Sequence, residues 1–337
     1  MRLSTSLLAP TLCFLALGAA ESMRFAPAED LVLAKSFRLE AEVTLTAIEA
    51  SVNGEQQEIP ELPEFKLEAR AQASLSDRYL AAEDGRPTRF ERTFGELGSS
   101  NVVRGPQGTE ETERTSELEG RTVRFTWDAD DEEYAAVFAE GDEDTDLLED
   151  LRGDIDLLEL MPSGDVEEGE TWSPSLDLVH RIFDPVGELH LEQADDDEED
   201  NPWAELMDDA LLDPTGEFTV TWVRRYKEGG LDLIELDVVI DVEGSAQDET
   251  TQEEEGPMGP LEIQLDLTAT LDVDMKGKMI WNATGNHFHS LDLEGTLGIQ
   301  HDEIRNFTIM DTEREVKQKR VFEGTITIGL TTAVETE

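Results

Sequence analysis

From residue 261 to residue 275 every odd position is apolar and every even position is polar. The odd set is Leu261, Ile263, Leu265, Leu267, Ala269, Leu271, Val273 and Met275, and the even set runs from Glu262 to Asp274. Successive side chains of a strand point to opposite faces, whereas a helix would scatter both sets around its axis. The segment is therefore a strand with one buried and one wet face, as antiparallel sheets commonly have. Alternation continues through Gly277, Met279 and Trp281, beyond the roughly 3–10 residues of an ordinary strand. A bend or bulge is expected near Gly277.

The next residues, Ala283-Thr284-Gly285-Asn286-His287, have turn chemistry. Alternation then resumes on Leu291, Leu293, Gly295, Leu297 and Ile299. A one-residue slip would turn every side chain to the wrong face. A three-residue loop at 284–286 keeps apolar against apolar. It pairs Ala283 with His287, Trp281 with His289, Met279 with Leu291, Leu271 with Ile299 and Val273 with Leu297.

Other stretches share the period. Phe218, Val220, Trp222 and Tyr226 lead through Gly229-Gly230 to Ile234, Leu236, Val238, Ile240 and Val242. Phe322 to Leu330 close the chain, and Phe37 to Ala47 and Phe65 to Leu75 alternate near its start. Val123, Phe125 and Trp127 can face Phe138, Ala136 and Tyr134. The middle differs: Leu147, Leu148, Leu151, Ile155, Leu158 and Leu160 have roughly helical spacing over 146–161, and Trp203, Leu206, Met207 and Leu211 suggest a second helix. Two acidic, Pro-containing stretches, 48–65 and 242–261, each lie between alternating runs and read as matching long loops of a weak internal repeat.

The expected fold is mainly β, a β-rich α+β arrangement. It has one large curved antiparallel sheet, or two related antiparallel sheets, with a central helical segment covering an apolar face. The expected organisation is a signal peptide at 1–20, an N-terminal antiparallel β region at 21–143, a central helical and acidic-loop region at 144–215 and a C-terminal antiparallel β region at 216–337.

The leader reading rests on Arg2, the apolar run around Leu7, Leu8, Leu12, Phe14, Leu15 and Leu17, and the small residues Gly18-Ala19-Ala20. Pro10 and scattered hydroxyls make the run a poor membrane span. Cleavage after Ala20 gives a soluble chain, periplasmic or extracellular, beginning at Glu21. It also removes Cys13, the single cysteine, leaving no disulfide or thiolate in the mature chain.

Eighty Asp and Glu oppose 26 Lys and Arg, a formal charge of −54, and only seven of the basic residues are Lys. Such a surface repels phosphate backbones and anionic lipid heads, which argues against nucleic-acid and anionic-membrane partners. It attracts cations, so weak, non-specific divalent binding is expected, and no cofactor. Scarce lysine with abundant acid also fits work in high salt, where counter-ions screen self-repulsion.

Catalytic signatures are absent: there is no His-Glu-x-x-His, no Gly-x-Ser-x-Gly, no phosphate loop and no dinucleotide fingerprint. Acidic loops beginning at Asp128 and Asp142 lack the Gly and Glu of a calcium hand. The candidate metal ligands are His287 and His289, which share a strand face at i and i+2. Half-buried histidines at a sheet end are the commoner reading of so short a motif. His301 lies too far along a continuous strand to join them.

Pro162, Val166, Gly169 and Trp172 form a Pro-x3-Val-x2-Gly-x2-Trp segment. It resembles one found in exported bacterial envelope proteins of no assigned activity, and this implies a bacterial envelope protein. The functional expectation is a non-catalytic exported envelope protein, binding or structural. An apolar groove in the sheet would take an apolar small molecule or lipid, and the other candidate partner is a further envelope protein. The rival is an exported hydrolase with scattered carboxylates.

Overall fold

The computed structural model describes residues 23–59, 61–83, 85–141, 145–193, 202–256, 259–309 and 312–335. The leader and Cys13 lie outside them, as do Asp142 and the acidic run at 195–200.

The N-terminal half supplies strands β1 (Val32–Val52), β2 (Glu55–Gln56), β3 (Lys66–Glu83), β4 (Arg86–Gly105), β5 (Gly108–Ser116), β6 (Thr122–Asp128) and β7 (Glu133–Phe138). The central segment adds β8 (Thr171–Trp172), α1 (Leu178–Phe183), β9 (Leu191–Gln193) and α2 (Pro202–Ala210). The C-terminal half is a meander of β10 (Thr215–Glu228), β11 (Leu231–Gly256), β12 (Gly259–Asn282), β13 (His287–Ile309) and β14 (Thr312–Val334).

All of these strands belong to one antiparallel sheet, ordered β7-β6-β4-β3-β1-β14-β13-β12-β11-β10-β8, with β2, β5 and β9 attached at its margins. The two halves join because the first long strand pairs with the last: Phe37 faces Leu330, Leu39 faces Ile328 and Val43 faces Gly324. The choice between one sheet and two is thus made by a pairing between the two ends of the chain. The sheet is open, and its path ends on β7 at one side and β8 at the other.

Most registers follow the alternation. Val123, Phe125 and Trp127 face Phe138, Ala136 and Tyr134, and Leu271 faces Ile299 as Val273 faces Leu297. The β12–β13 turn differs near its tip. A bulge at His289 places Trp281 opposite Phe288 and Asn282 opposite His287, leaving 283–286 as the loop. The slip lets both large rings, Trp281 and Phe288, enter the core, where neither keeps more than 1% of its surface exposed. The burial of a second aromatic outweighs an unbroken ladder.

No register break occurs at Gly277. What Gly277 provides there is room for a close backbone approach, shared with two other glycines. A Cβ on Gly277 would overlap the carbonyl oxygen of Asp292, one on Gly295 that of Asp274, and one on Gly324 that of Glu42. Gly277 faces Leu293, two residues before Gly295, and Gly295 faces Ile326, two residues after Gly324. The three glycines therefore form a diagonal across β12, β13 and β14, along which neighbouring backbones close in on the apolar face.

Two expectations are corrected. The stretch 242–261 is the far part of the β11–β12 hairpin, paired from Val242–Val273 out to Gly256–Gly259. It is not a loop matching 48–65, so the apparent repeat loses its second member. The stretch 146–161 is not a helix. It holds two short 3₁₀ turns, Thr145–Leu148 and Leu158–Leu160, with positive φ at Asp150 and Leu157. Its backbone polar groups are met by side chains: Arg92 takes the carbonyls of Arg152 and Gly153, and Asp154 takes the amides of Asp156 and Leu158. Helical bonds are replaced, and the apolar residues reach the core from an irregular chain. The second helix, α2, forms as its spacing predicts.

The central segment leaves the β7 edge and returns at the β8–β10 edge. On the way its Leu151, Ile155, Leu157, Leu160, Leu178, Val179, Ile182 and Val186 join one continuous core with the inner faces of both halves. A smaller cluster of Leu206, Leu265, Leu267 and Ala269 sits under α2. Among the described residues no helix is long and apolar enough to cross a membrane.

Candidate functional site

Charge appears where the alternation forbids it. Lys35 occupies the apolar parity of β1 between Leu33 and Phe37. Asp77 and Tyr79 continue the Ala73–Leu75 face of β3, and Arg92 sits between Phe90 and Phe94 on β4. The sheet register aligns Leu33, Asp77 and Arg92 in one row. Asp156 meets them from the central segment. All five polar side chains are buried, Arg92 completely and Asp77 and Tyr79 to within 1% of their surface.

The Lys35 Nζ donates to Asp77 Oδ2 at 2.9 Å, to Tyr79 Oη at 2.7 Å and to Asp156 Oδ2 at 2.7 Å. The Tyr79 hydroxyl donates in turn to Asp156 Oδ2 at 2.9 Å. Arg92 grips Asp77 through two bonds, Nε to Oδ1 at 2.8 Å and Nη2 to Oδ2 at 2.9 Å. Its guanidinium lies against the rings of Phe90 and Phe125. Phe25 packs edge-on to Tyr79. One carboxylate oxygen, Asp156 Oδ1, is buried without a hydrogen-bond partner, as is Oγ1 of Thr332, the residue opposite Lys35 on β14.

Electrostatics separates the acids. Burial alone would raise the Asp77 pKa, but the Arg92 and Lys35 charges outweigh it and hold the carboxyl at about 2. Asp154, next to the cluster, goes the other way. Burial, helped by the negative charge of Asp156, pushes its carboxyl up to about 6. Burial together with Asp156 and Asp77 drives the Tyr79 hydroxyl well above its ordinary value, so it stays protonated.

The sequence-nominated histidines are elsewhere. His287 is buried, and both ring nitrogens are engaged, one with Asn282 at 3.1 Å and one with the Phe288 carbonyl at 2.5 Å. Burial lowers its pKa. His289 falls at the bulge and is partly exposed. His301 lies further along the same unbroken strand, facing Ala269 and Arg320. It stacks on Trp203 of α2 with centroids 4.1 Å apart, and burial brings its pKa down to about 4. Among the described residues no group of three or more His, Cys, Asp or Glu is arranged to hold a metal ion. In the Asp128 loop, Oδ1 of Asp128 caps the amide of Asp130.

The Pro162–Trp172 motif is used for packing. Gly169 turns with φ of 92°, its N–H donates to the Trp222 carbonyl, and the Trp172 indole donates to Leu160 O at 2.8 Å. A second polar knot joins the helices: His180 of α1 bonds Arg152 at 2.9 Å and Asp208 of α2 at 2.9 Å.

One surface hollow of about 500 Å³ is lined by small residues such as Ser36, Ser74 and Ser76 together with Lys35, Leu75 and Thr332. Another of about 480 Å³ mixes Arg38 and Arg70 with Glu40, Glu96 and Glu113. Neither family models nor curated proteins match this chain.

The sequence did carry a signal for the ionic cluster: a charged residue on a buried parity, once in each of three strands. Asp156 had no such signal, because it sits on an irregular segment.

Proposed function

We propose that this chain is a non-catalytic exported envelope protein, structural or binding, whose sheet is filled by its own central segment rather than by a ligand. The observation that carries this reading is the occupation of the inner apolar face by Leu151, Ile155, Leu157, Leu160 and Val179. A carrier of apolar molecules needs that volume empty. The hydrolase alternative needs acids facing a solvent-filled cleft. Asp77 and Asp156 instead converge on one buried lysine. Native mass spectrometry of protein purified from its source tests the reading. The expected spectrum contains the polypeptide alone, and a stoichiometric lipid or other apolar adduct would overturn it.

A further inference from the structure

We propose that Lys35 and Asp156 are the two ends of a self-formed amide cross-link that ties β1 to the central segment.

The reacting groups are already in place. Lys35 Nζ lies 2.7 Å from Asp156 Oδ2, with both side chains almost wholly buried. Holding the two groups together makes the condensation intramolecular, which in well-aligned cases is equivalent to an effective concentration of roughly 10⁵–10⁸ M. An ammonium–carboxylate pair withdrawn from water is costly, and a neutral amide is not. In solution, hydrolysis opposes condensation. With side-chain exposures of 1% and 4%, the pair has little of the water that would reverse the condensation.

The surrounding groups have distinct parts in the reaction. Asp77 is held as a carboxylate by its two bonds from Arg92, which makes it a poor electrophile. At 2.9 Å it accepts from Nζ and holds the amine in position beside Asp156. Tyr79 donates to Asp156 Oδ2, so it supports the negative charge that develops there when Cγ is attacked. Oδ2 is therefore the oxygen retained as the amide carbonyl. Oδ1 has no partner and is the oxygen that leaves.

The balance closes without any further reagent. One Nζ proton passes to Asp156 and settles on Oδ1, giving an amine and a carboxylic acid whose hydroxyl is Oδ1. The amine attacks Cγ and forms the C–N bond. A second Nζ proton passes from the adduct to the departing Oδ1 hydroxyl, and the C–O bond breaks. Ammonium plus carboxylate becomes amide plus one water, with no change in oxidation state. The product also removes the unpartnered buried oxygen.

Mass spectrometry of the intact, denatured protein is the test. The expected chain is lighter by one water than the sequence beginning at its determined N-terminus, Glu21 if the leader is removed. Trypsin should yield residues 25–38 joined to residues 153–181, uncut at Lys35. Asp156→Ala should restore the unreduced mass of its processed sequence and cleavage after Lys35. Asp156→Asn should form the same bond with loss of ammonia, and so reach the same mass as the native chain. Tyr79→Phe and Asp77→Asn, if they fold, should slow or abolish linkage. A native protein with the unreduced mass of its processed sequence, with free peptides ending and beginning at Lys35 and Ser36, overturns the proposal whatever the variants do.

Discussion

The inner face of the C-terminal half is apolar along its middle: Phe218, Val220 and Trp222 on β10, Leu236 to Val242 on β11, Val273 to Trp281 on β12. The matching face of the N-terminal half is interrupted by Lys35, Asp77 and Arg92, set among Phe25, Phe90, Phe94 and Phe125. Both halves share one pleat and one core. They differ in how they choose their partner across the core. Apolar contact is non-directional and accepts any filler of the right volume. Arg92 and Lys35 accept the central segment only where the Arg152 and Gly153 carbonyls and the Asp156 carboxylate meet them. The ionic half therefore fixes where the irregular segment lies, while the apolar half supplies most of the burial.

Breaking one ion pair should have the largest effect. Arg92→Ala leaves Asp77 buried without its main counter-charge and frees two carbonyls, and should cost about 3–5 kcal/mol in urea unfolding. Replacing Lys35, Asp77, Arg92 and Asp156 together by apolar residues of similar size should recover most of that loss. If the single and the quadruple variants were equally unstable, the cluster would be ordinary packing. In the apolar half, Leu271→Asp should cost about 3–5 kcal/mol by burying an unpaired charge. Thr270→Asp, on the opposite face, should cost under about 1 kcal/mol. The reverse order would invert the face assignment.

The glycine diagonal gives a smaller contrast within one strand. Gly295→Ala pushes a methyl into the Asp274 carbonyl and should cost about 1–3 kcal/mol, because backbone must move. Gly298→Ala meets Asp272 at ordinary contact distances, 3.4 Å to its Cβ and 3.8 Å to its carbonyl oxygen, and should lie within about 0.5 kcal/mol of the parent.

The smallest effect expected is in the pH dependence. The folded pKa of Asp154, about 6, is above its unfolded value. Its contribution is complete below pH ~4 and is lost as pH rises towards 6. The residue keeps some exposed surface, so roughly 1–2 kcal/mol is expected after allowance for screening. Asp77 has the opposite sign: its folded value of about 2 stabilises the protein above pH ~4, and this is lost as pH falls towards 2. Melting curves from pH 4 to 7 should show a fall in stability that Asp154→Asn flattens. An unchanged slope would place the titrating group elsewhere.

The strands, their buried faces and most hairpin registers were legible in the sequence, because period two is a local property that any half-buried strand must satisfy. Thus Leu271 opposite Ile299 follows from the pattern alone. Tertiary structure decided what local pattern cannot encode. The β1–β14 pairing makes one sheet of two halves, and it joins residues at opposite ends of the chain. The stretch 146–161 has helical spacing but is held by Arg92 and Asp154, whose claims on its backbone replace helical bonds. The His289 bulge arises because Trp281 and Phe288 bury better together than an unbroken ladder would allow. Parity marks a charge on the wrong face, but only the packed fold brings Lys35, Asp77, Arg92 and Asp156 within bonding distance, because the energy that holds them there depends on the exclusion of water from all sides at once.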